Sequence, residues 1–185
     1  MTGTTDRGSL TLDAMFAWLE GMVPEGYKSE IVGGHIFLTP QRDTHWDITI
    51  GILEQLRPRY PLQRLLSDVR MDYPGHLNGF ASDVVALAEG PGRRAEFVAE
   101  VISRETSGND YGPKKDAYAA AGVPVYLIVD PYTGVWHLHT LPHRGAYHGY
   151  VRFGFGTVID LTGTDVGLVI GTGGFPRYVT GASAS

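Results

Sequence analysis

The spacing of apolar residues changes period several times along the chain. Between Thr11 and Gly21, Leu12, Met15, Phe16 and Leu19 fall at i, i+3, i+4 and i+7, which predicts a short amphipathic helix. Gly21 suits its end and Pro24 stops any continuation. From Tyr27 to Pro40, Ser29-Glu30-Ile31-Val32 and His35-Ile36-Phe37-Leu38 flank Gly33-Gly34, a pair that tolerates positive φ, so a β-hairpin is expected. Over Thr44 to Leu56 the helical period returns. His45, Ile48, Thr49, Ile52, Leu53 and Leu56 share one face, Asp43 or Thr44 can cap the start, and Pro58 and Pro61 lie beyond the end. His45 then sits in the first turn, on the side that faces the core.

Strand-like material follows around Leu65-Leu66 and Val69, and Tyr73 to Gly79 reads as a turn-rich break. Asp83 to Ala88 and Phe97 to Ser103 predict two short strands, joined closely enough for an antiparallel hairpin. Gly112 to Ala121 predicts a helix with Pro113 at its first position and Gly122 past its end. Val125 to Val129 is nearly all apolar, as for a strand buried on both faces. Strand, helix, strand in that order implies parallel strands with a right-handed crossover. Gly134–Leu141, Tyr147–Phe153, Thr157–Leu161 and Gly167–Ile170 read as further strands between glycine or proline turns. The expected architecture is α+β (or α/β), with a mixed central sheet flanked by helices and extra C-terminal strands. A single domain over residues 9–179 is expected, with a disordered lead-in over 1–8 and a flexible tail over 180–185.

Composition narrows the class only modestly. Hydrophobic residues at 43% and charged residues at 19% suit a globular chain, and no apolar run reaches membrane-spanning length. Met1 to Gly8 is polar and lacks a secretory core, and with no cysteine there are no disulfides or thiolate metal sites. A cytoplasmic location is therefore expected, with no membrane partner. The net charge of -5 gives no general attraction to nucleic acid, although arginines and lysines, interleaved with acids, concentrate between Arg57 and Lys115.

What stands out is acid inside hydrocarbon. Asp83 and Glu100 each interrupt an apolar run, and a buried carboxylate is costly unless paired, protonated or metal-bound. Alternation puts Asp83 on a face with Val85 and Leu87, and Glu100 on a face with Val98 and Ile102. If those faces coincide in the hairpin, the carboxylates converge, and one must be protonated or a cation must lie between them. Hard oxygen donors select Mg²⁺ or Mn²⁺, and such an ion binds a phosphate oxygen and acidifies a bound water. Lys114 shares a helix face with Tyr118 and Ala121 and so should point at the sheet, whereas Lys115 turns toward solvent. Plainer roles exist for each: Asp83 as a strand-end cap or turn-amide acceptor, Lys114 as a structural counter-ion, Glu30 as an exposed strand acid, His45 as a satisfied first-turn histidine.

The order Asp83, Glu100-Val101-Ile102-Ser103, Asp110, Lys114, Tyr118, and Gly122-Val123-Pro124-x-Tyr126-x-Ile128-Val129-Asp130-Pro131 resembles the bacterial Uma-type family of putative restriction endonucleases, within the PD-(D/E)XK nuclease superfamily. Glu30-Ile31-Val32-Gly33-Gly34-His35, with Pro40 and His45, is similar to that family's opening. The resemblance implies a restriction-endonuclease-like core and a Mg²⁺- or Mn²⁺-dependent DNA endonuclease. Asp83 and Glu100 would be metal ligands, with the Val101 carbonyl nearby, and Lys114 would orient or deprotonate the attacking water. Glu30 and His45 would be accessory. Two departures matter: Ser82 stands where the pattern usually has proline, and Ile102 where it usually has lysine, a lysine that in this family has moved to the position of Lys114. DNA is the partner so implied, and a homodimer would suit cleavage of both strands.

Two other readings differ in class. One is a catalytically inactive nuclease fold kept for nucleic-acid or protein binding, consistent with the negative charge and with Ile102. The other is a metal site at His137 and His139, which alternate on one strand face with His143 and His148 nearby, although no carboxylate adjacent in sequence completes it. Gly154-Phe155-Gly156 and Gly171-Thr172-Gly173-Gly174 lack a following helix and a phosphate-loop lysine, and read as turns.

Overall fold

A computed structural model describes residues 10–40 and 42–178, so the expected lead-in and tail lie outside the described residues. The first helix, α1 (Leu12–Glu20), starts at Thr11, whose hydroxyl accepts from the Ala14 amide at 3.2 Å. The hairpin of β1 (Tyr27–Val32) and β2 (His35–Pro40) turns at Gly33 and Gly34, at φ 59° and 81°. Both values lie where a Cβ is disfavoured, which is why glycine occupies both positions. Helix α2 (Asp43–Leu56) begins one residue earlier than expected. Its N-cap is Arg42, which makes no side-chain capping bond, so neither Asp43 nor Thr44 plays the capping role the sequence suggested.

Beyond a short 3₁₀ turn at Leu62–Arg64 come β3 (Leu65–Leu66), β4 (Met71–Tyr73) and β5 (Asn78–Phe80). The supposed turn-rich break is thus a small β4–β5 hairpin. Then come β6 (Val84–Leu87), β7 (Ala95–Val101), the short α3 (Ser107–Tyr111), α4 (Pro113–Ala120) and β8 (Val125–Asp130). Pro113 is at the first position of α4, and Gly122 follows its C-cap at φ 71°, the left-handed residue that ends many helices. The chain finishes with β9 (Val135–His143), β10 (Ala146–Gly154), β11 (Ile159–Asp160) and β12 (Val169–Ile170).

The central sheet has six strands in the order β10-β9-β8-β7-β6-β3 and is mixed: β7 and β8 are parallel and the other neighbours antiparallel. A second sheet of four strands runs β2-β1-β5-β4, and β11 and β12 form a third. Alternation along β6, β7 and β8 sorts side chains to opposite faces of the central sheet. Val84, Ala86, Phe97, Ala99, Val125, Leu127 and Val129 pack with Ile48, Ile52 and Leu56 of α2 and with Ile159 and Ile170 of the last hairpin. Val85, Val98, Tyr126 and Ile128 face the other way, toward Ala117 and Tyr118 of α4 and Val32, Tyr73 and Phe80 of the smaller sheet. On its far side that smaller sheet lays Ile31 against Met15 and Leu19 of α1. Among the described residues no helix is long and apolar enough to cross a membrane.

Candidate active site

The β6–β7 register pairs Val84 with Ala99, and one step further along places Asp83 opposite Glu100. Both therefore project from the same face, the one shared by Val85 and Val98, and both are fully buried, at 2% and 1% exposure. Strand β1 alternates so that Lys28, Glu30 and Val32 point to that face too, while Ile31 turns to α1. Helix α4 supplies Lys114, 1% exposed, and Tyr118 one turn on. The first turn of α2 delivers His45.

The cluster divides into two linked ion groups. In the first, Lys28 Nζ lies 2.5 Å from Asp83 Oδ1 and 3.5 Å from Asp68 Oδ1. His45 Nε2 lies 2.8 Å from the same Asp83 oxygen, without the alignment of a hydrogen bond. Asp83 Oδ2 accepts from the Val101 amide at 2.7 Å. Asp83 thus does bind a backbone amide, as the plainer reading allowed, and pairs with a lysine as well. In the second group, Lys114 Nζ is enclosed by Glu100 at 2.8 Å, Glu30 at 3.0 Å and Asp110 at 3.1 Å. Glu30 also accepts from the Ala81 amide at 3.0 Å, so it is no exposed strand acid. The Tyr118 hydroxyl donates to Glu100 and lies 2.8 Å from the Ser82 hydroxyl.

Four buried carboxyl groups face two ammonium groups. Full ionisation would leave negative charge uncompensated, and the titration behaviour follows from that imbalance. Burial raises Glu100 to about 8 against the pull of Lys114, with Asp83 and Glu30 pushing it the same way as burial. Burial likewise lifts Asp110 to about 6 despite Lys114. For Asp83, burial works upward, but the Lys28 ammonium and His45 outweigh it and hold the carboxyl well below the usual range. Burial would lower Lys114, but Asp110, Glu100 and Glu30 raise it well above its ordinary value.

All five residues proposed from the sequence, Asp83, Glu100, Lys114, Glu30 and His45, line one small cavity with Lys28, Thr39, Val101, Ser103, Thr106 and Asp110. A family model described as Uma2, Putative restriction endonuclease, matches residues 13–170.

The chain belongs to that family.

No curated protein matches it. Among solved structures, the crystal structure of a putative nuclease from Anabaena variabilis ATCC 29413 superposes with a TM-score of 0.62 at 15% identity, covering 82% of this chain and 88% of that one. At that identity the likeness is one of fold. The Uma2 match spans every member of the cluster, from Lys28 to Tyr118.

Two members of the cluster are not among the site residues proposed from the sequence, although Asp110 stands in the motif that carries the family resemblance. Lys28 lies two residues before Glu30, so strand parity alone put both on one face. Asp110 lies four residues before Lys114, a spacing that pairs charges on a helix. Ile102, standing where the wider nuclease pattern has lysine, is buried among Val85, Val98 and Tyr118. The cations come instead from β1 and α4. The histidine alternative finds no support in the geometry: His137 Nδ1 is 2.9 Å from the Tyr150 hydroxyl and Nε2 is 3.3 Å from the Tyr111 hydroxyl. His139 lies against the rings of Tyr126, Tyr147 and Tyr150. Burial lowers both imidazoles, His139 to about 4.

Could the cluster hold a divalent metal? Its donors are hard oxygens, and carboxyl groups outnumber ammonium groups by two, so a doubly charged cation would balance the cluster once all four were ionised. Among the described residues no group of three or more histidine, aspartate or glutamate side chains is arranged to hold a metal ion as they now stand, so the fit to Mg²⁺ or Mn²⁺ is one of donor chemistry alone.

Proposed function

We propose that the protein is a Mg²⁺-dependent endonuclease that hydrolyses DNA phosphodiester bonds. The observation that carries this reading is the pair of buried carboxyls, Asp83 and Glu100, opposed on one hairpin face inside a cluster with an excess of acid. Membership in a family of putative restriction endonucleases supports the substrate class. Asp83 and Glu100 would hold the metal, which when bound would supply Lewis acidity toward a water and a phosphate oxygen. Glu30 and Asp110 hold Lys114 in place beside Glu100. Lys114 stays an ammonium at neutral pH because its three carboxyl neighbours hold its proton. It therefore orients the water and offsets negative charge, and does not take the proton itself. His45, in the first turn of α2, lies against Asp83 and fixes that carboxylate's position.

The test is cleavage of plasmid and oligonucleotide DNA with Mg²⁺ or Mn²⁺, comparing the wild type with Asp83→Ala and Glu100→Ala. Both substitutions should abolish cleavage. Activity that persists in both would assign the reaction to another site. Binding of DNA with no cleavage by the wild type under any divalent metal would make the protein a non-catalytic binding module.

A further inference from the structure

We propose that Lys28 is a displaceable placeholder for the metal: its ammonium occupies Asp83 until a divalent cation arrives, and Asp68 then receives it. The inference rests on the metal-site reading above and adds a positioning residue to it.

Three observations carry it. The first is volume. The cavity among the carboxylates measures about 10 Å³, close to the least that admits a single water. Mg²⁺ gives up its waters reluctantly and usually keeps several. A partly hydrated ion therefore cannot enter beside every side chain now in place, and one of them must yield.

The second is which one can move. Lys114 is fixed by three carboxylates and is 1% exposed. Glu30 and Asp83 are both held by backbone amides, of Ala81 and Val101. Lys28 pairs with Asp83 at 2.5 Å but, unlike Lys114, is not enclosed on all sides by acids. Its side chain is 8% exposed and borders a second, open cavity of about 410 Å³, lined also by Tyr27, Ser29, Asp68, Arg70 and Ala81. A flexible four-carbon stem beside open space can withdraw its charge without moving the strand.

The third is a destination. Asp68 Oδ1 is already 3.5 Å from Lys28 Nζ, and at 34% side-chain exposure it stands at the rim of that open cavity. Its backbone is held at φ 54°, left-handed and uncommon for a residue with a Cβ, while its amide donates to the Ser82 carbonyl, immediately before Asp83. Such strain persists where the surrounding structure requires a particular side-chain direction. Here it aims a carboxylate at the outer side of the lysine. Lys28 thus lies between an inner and an outer acid, and a metal on the inner one leaves it the outer.

The test measures metal affinity, not turnover. Calorimetric titration of Mn²⁺ and Mg²⁺ would be run on the wild type, Lys28→Met, Asp68→Asn and the double variant. Removing Lys28 should tighten binding by about tenfold or more, because a like charge a few ångströms away opposes the ion. Asp68→Asn should weaken binding several-fold in the wild-type background and have little effect in the Lys28→Met background, because its work is to receive the lysine. An equal loss in both backgrounds would reduce Asp68 to a diffuse attraction for cations and overturn the proposal. So would a Lys28→Met affinity equal to or below that of the wild type. If Lys28→Met folds only when Mn²⁺ is present, as a metal-dependent melting transition would report, the ion replaces the ammonium on Asp83 and the proposal stands. If it folds under no condition, Asp68→Asn and Asp68→Glu decide: the first should lose affinity and the second recover it, and no change in either would overturn the placeholder role. A wild type that binds neither metal would sink the metal-site reading itself, a result distinct from any of these.

Discussion

The two faces of the central sheet use the same three strands for opposite purposes. Toward α2, strands β6, β7 and β8 present Val84, Phe97, Ala99, Leu127 and Val129, which pack into one apolar cluster with Ile48, Ile52 and Leu56. Toward α4, the same strands present Val85, Val98 and Ile128, but at one end Asp83 and Glu100 replace hydrocarbon and draw in lysines from two other elements. The first face is held by area removed from water, which has no direction and little dependence on pH. The second depends on charges in a fixed arrangement, whose balance responds to protons, metals and single substitutions. Stability and chemistry are thereby separated by the thickness of one sheet. The ionic face can carry unbalanced charge because the dry face holds the strands in register.

The comparison can be broken most forcefully by substituting one residue on each side. On the dry face, Phe97→Ala should cost about 3–5 kcal/mol, with the same loss at every pH and metal concentration. On the ionic face, Lys114→Met leaves three carboxyls around a missing cation and should cost a similar ~3–5 kcal/mol. Its loss should grow as pH rises and the acids ionise. Urea midpoints of both variants at acid and alkaline pH would distinguish them. Parallel pH curves for the two would undo the distinction drawn here.

The metal-free protein should itself show the ionic face in its pH profile. Glu100 and Asp110 have folded values raised to about 8 and about 6. Each contributes stability that is complete below its ordinary value, near 4, and is lost as pH rises through its raised one. Asp83, lowered, acts oppositely: its contribution is present above its ordinary value and disappears as pH falls. Stability should therefore fall from about pH 5 to about pH 8 and fall again in strong acid. Chemical denaturation across that range tests it, and Glu100→Gln should flatten the alkaline limb. A profile that rises from pH 5 to 8 would contradict the assignment.

Smaller effects sharpen the contrast further. Tyr118→Phe removes the hydroxyl that serves Glu100 and Ser82 and should cost about 1–3 kcal/mol, the range for leaving a buried polar group unsatisfied. Glu105→Ala, which breaks an exposed pair with Arg42 at 3.1 Å, should change stability hardly at all, by about 0–1 kcal/mol read from urea midpoints. A large effect there would mean that surface charge matters as much as buried charge.

Much of this arrangement could be read from residue patterns. The opposition of Asp83 and Glu100 follows from two alternating runs and a short connection, and the inward aim of Lys114 from its spacing to Tyr118. The parallel β7–β8 pair follows from the strand–helix–strand order, and the family from motifs that the Uma2 match then spans. What escaped was short or set by distant parts of the chain. Helix α3 is five residues long and contains Gly108, too little for a period to emerge, so Asp110 was not seen as part of a helix. The three-residue strands β4 and β5 pass for turn because Pro74 and Gly75 separate them and pairing with β1, not local propensity, organises them. The division into two sheets is likewise a tertiary outcome. Lys28 was missed for another reason: a lysine two residues from an acid on a strand usually means a solvated face, and only the arrival of Asp83 from 55 residues away makes it a buried one.

That distance along the chain has its own consequence. Lys114 meets Glu30 across 84 residues, and Asp83 meets Lys28 across 55. Contacts of such separation repay their loop-closure cost only once most of the topology exists. The cluster should then assemble near the end of folding, after the hydrocarbon face has aligned the strands. The same order runs in reverse on unfolding. The Val101 amide, bonded to Asp83, should exchange its hydrogen only through openings that also release β1 and α4. A site built this way exists only in the finished protein, and if it is the nuclease centre proposed above, a partly folded chain would not cut.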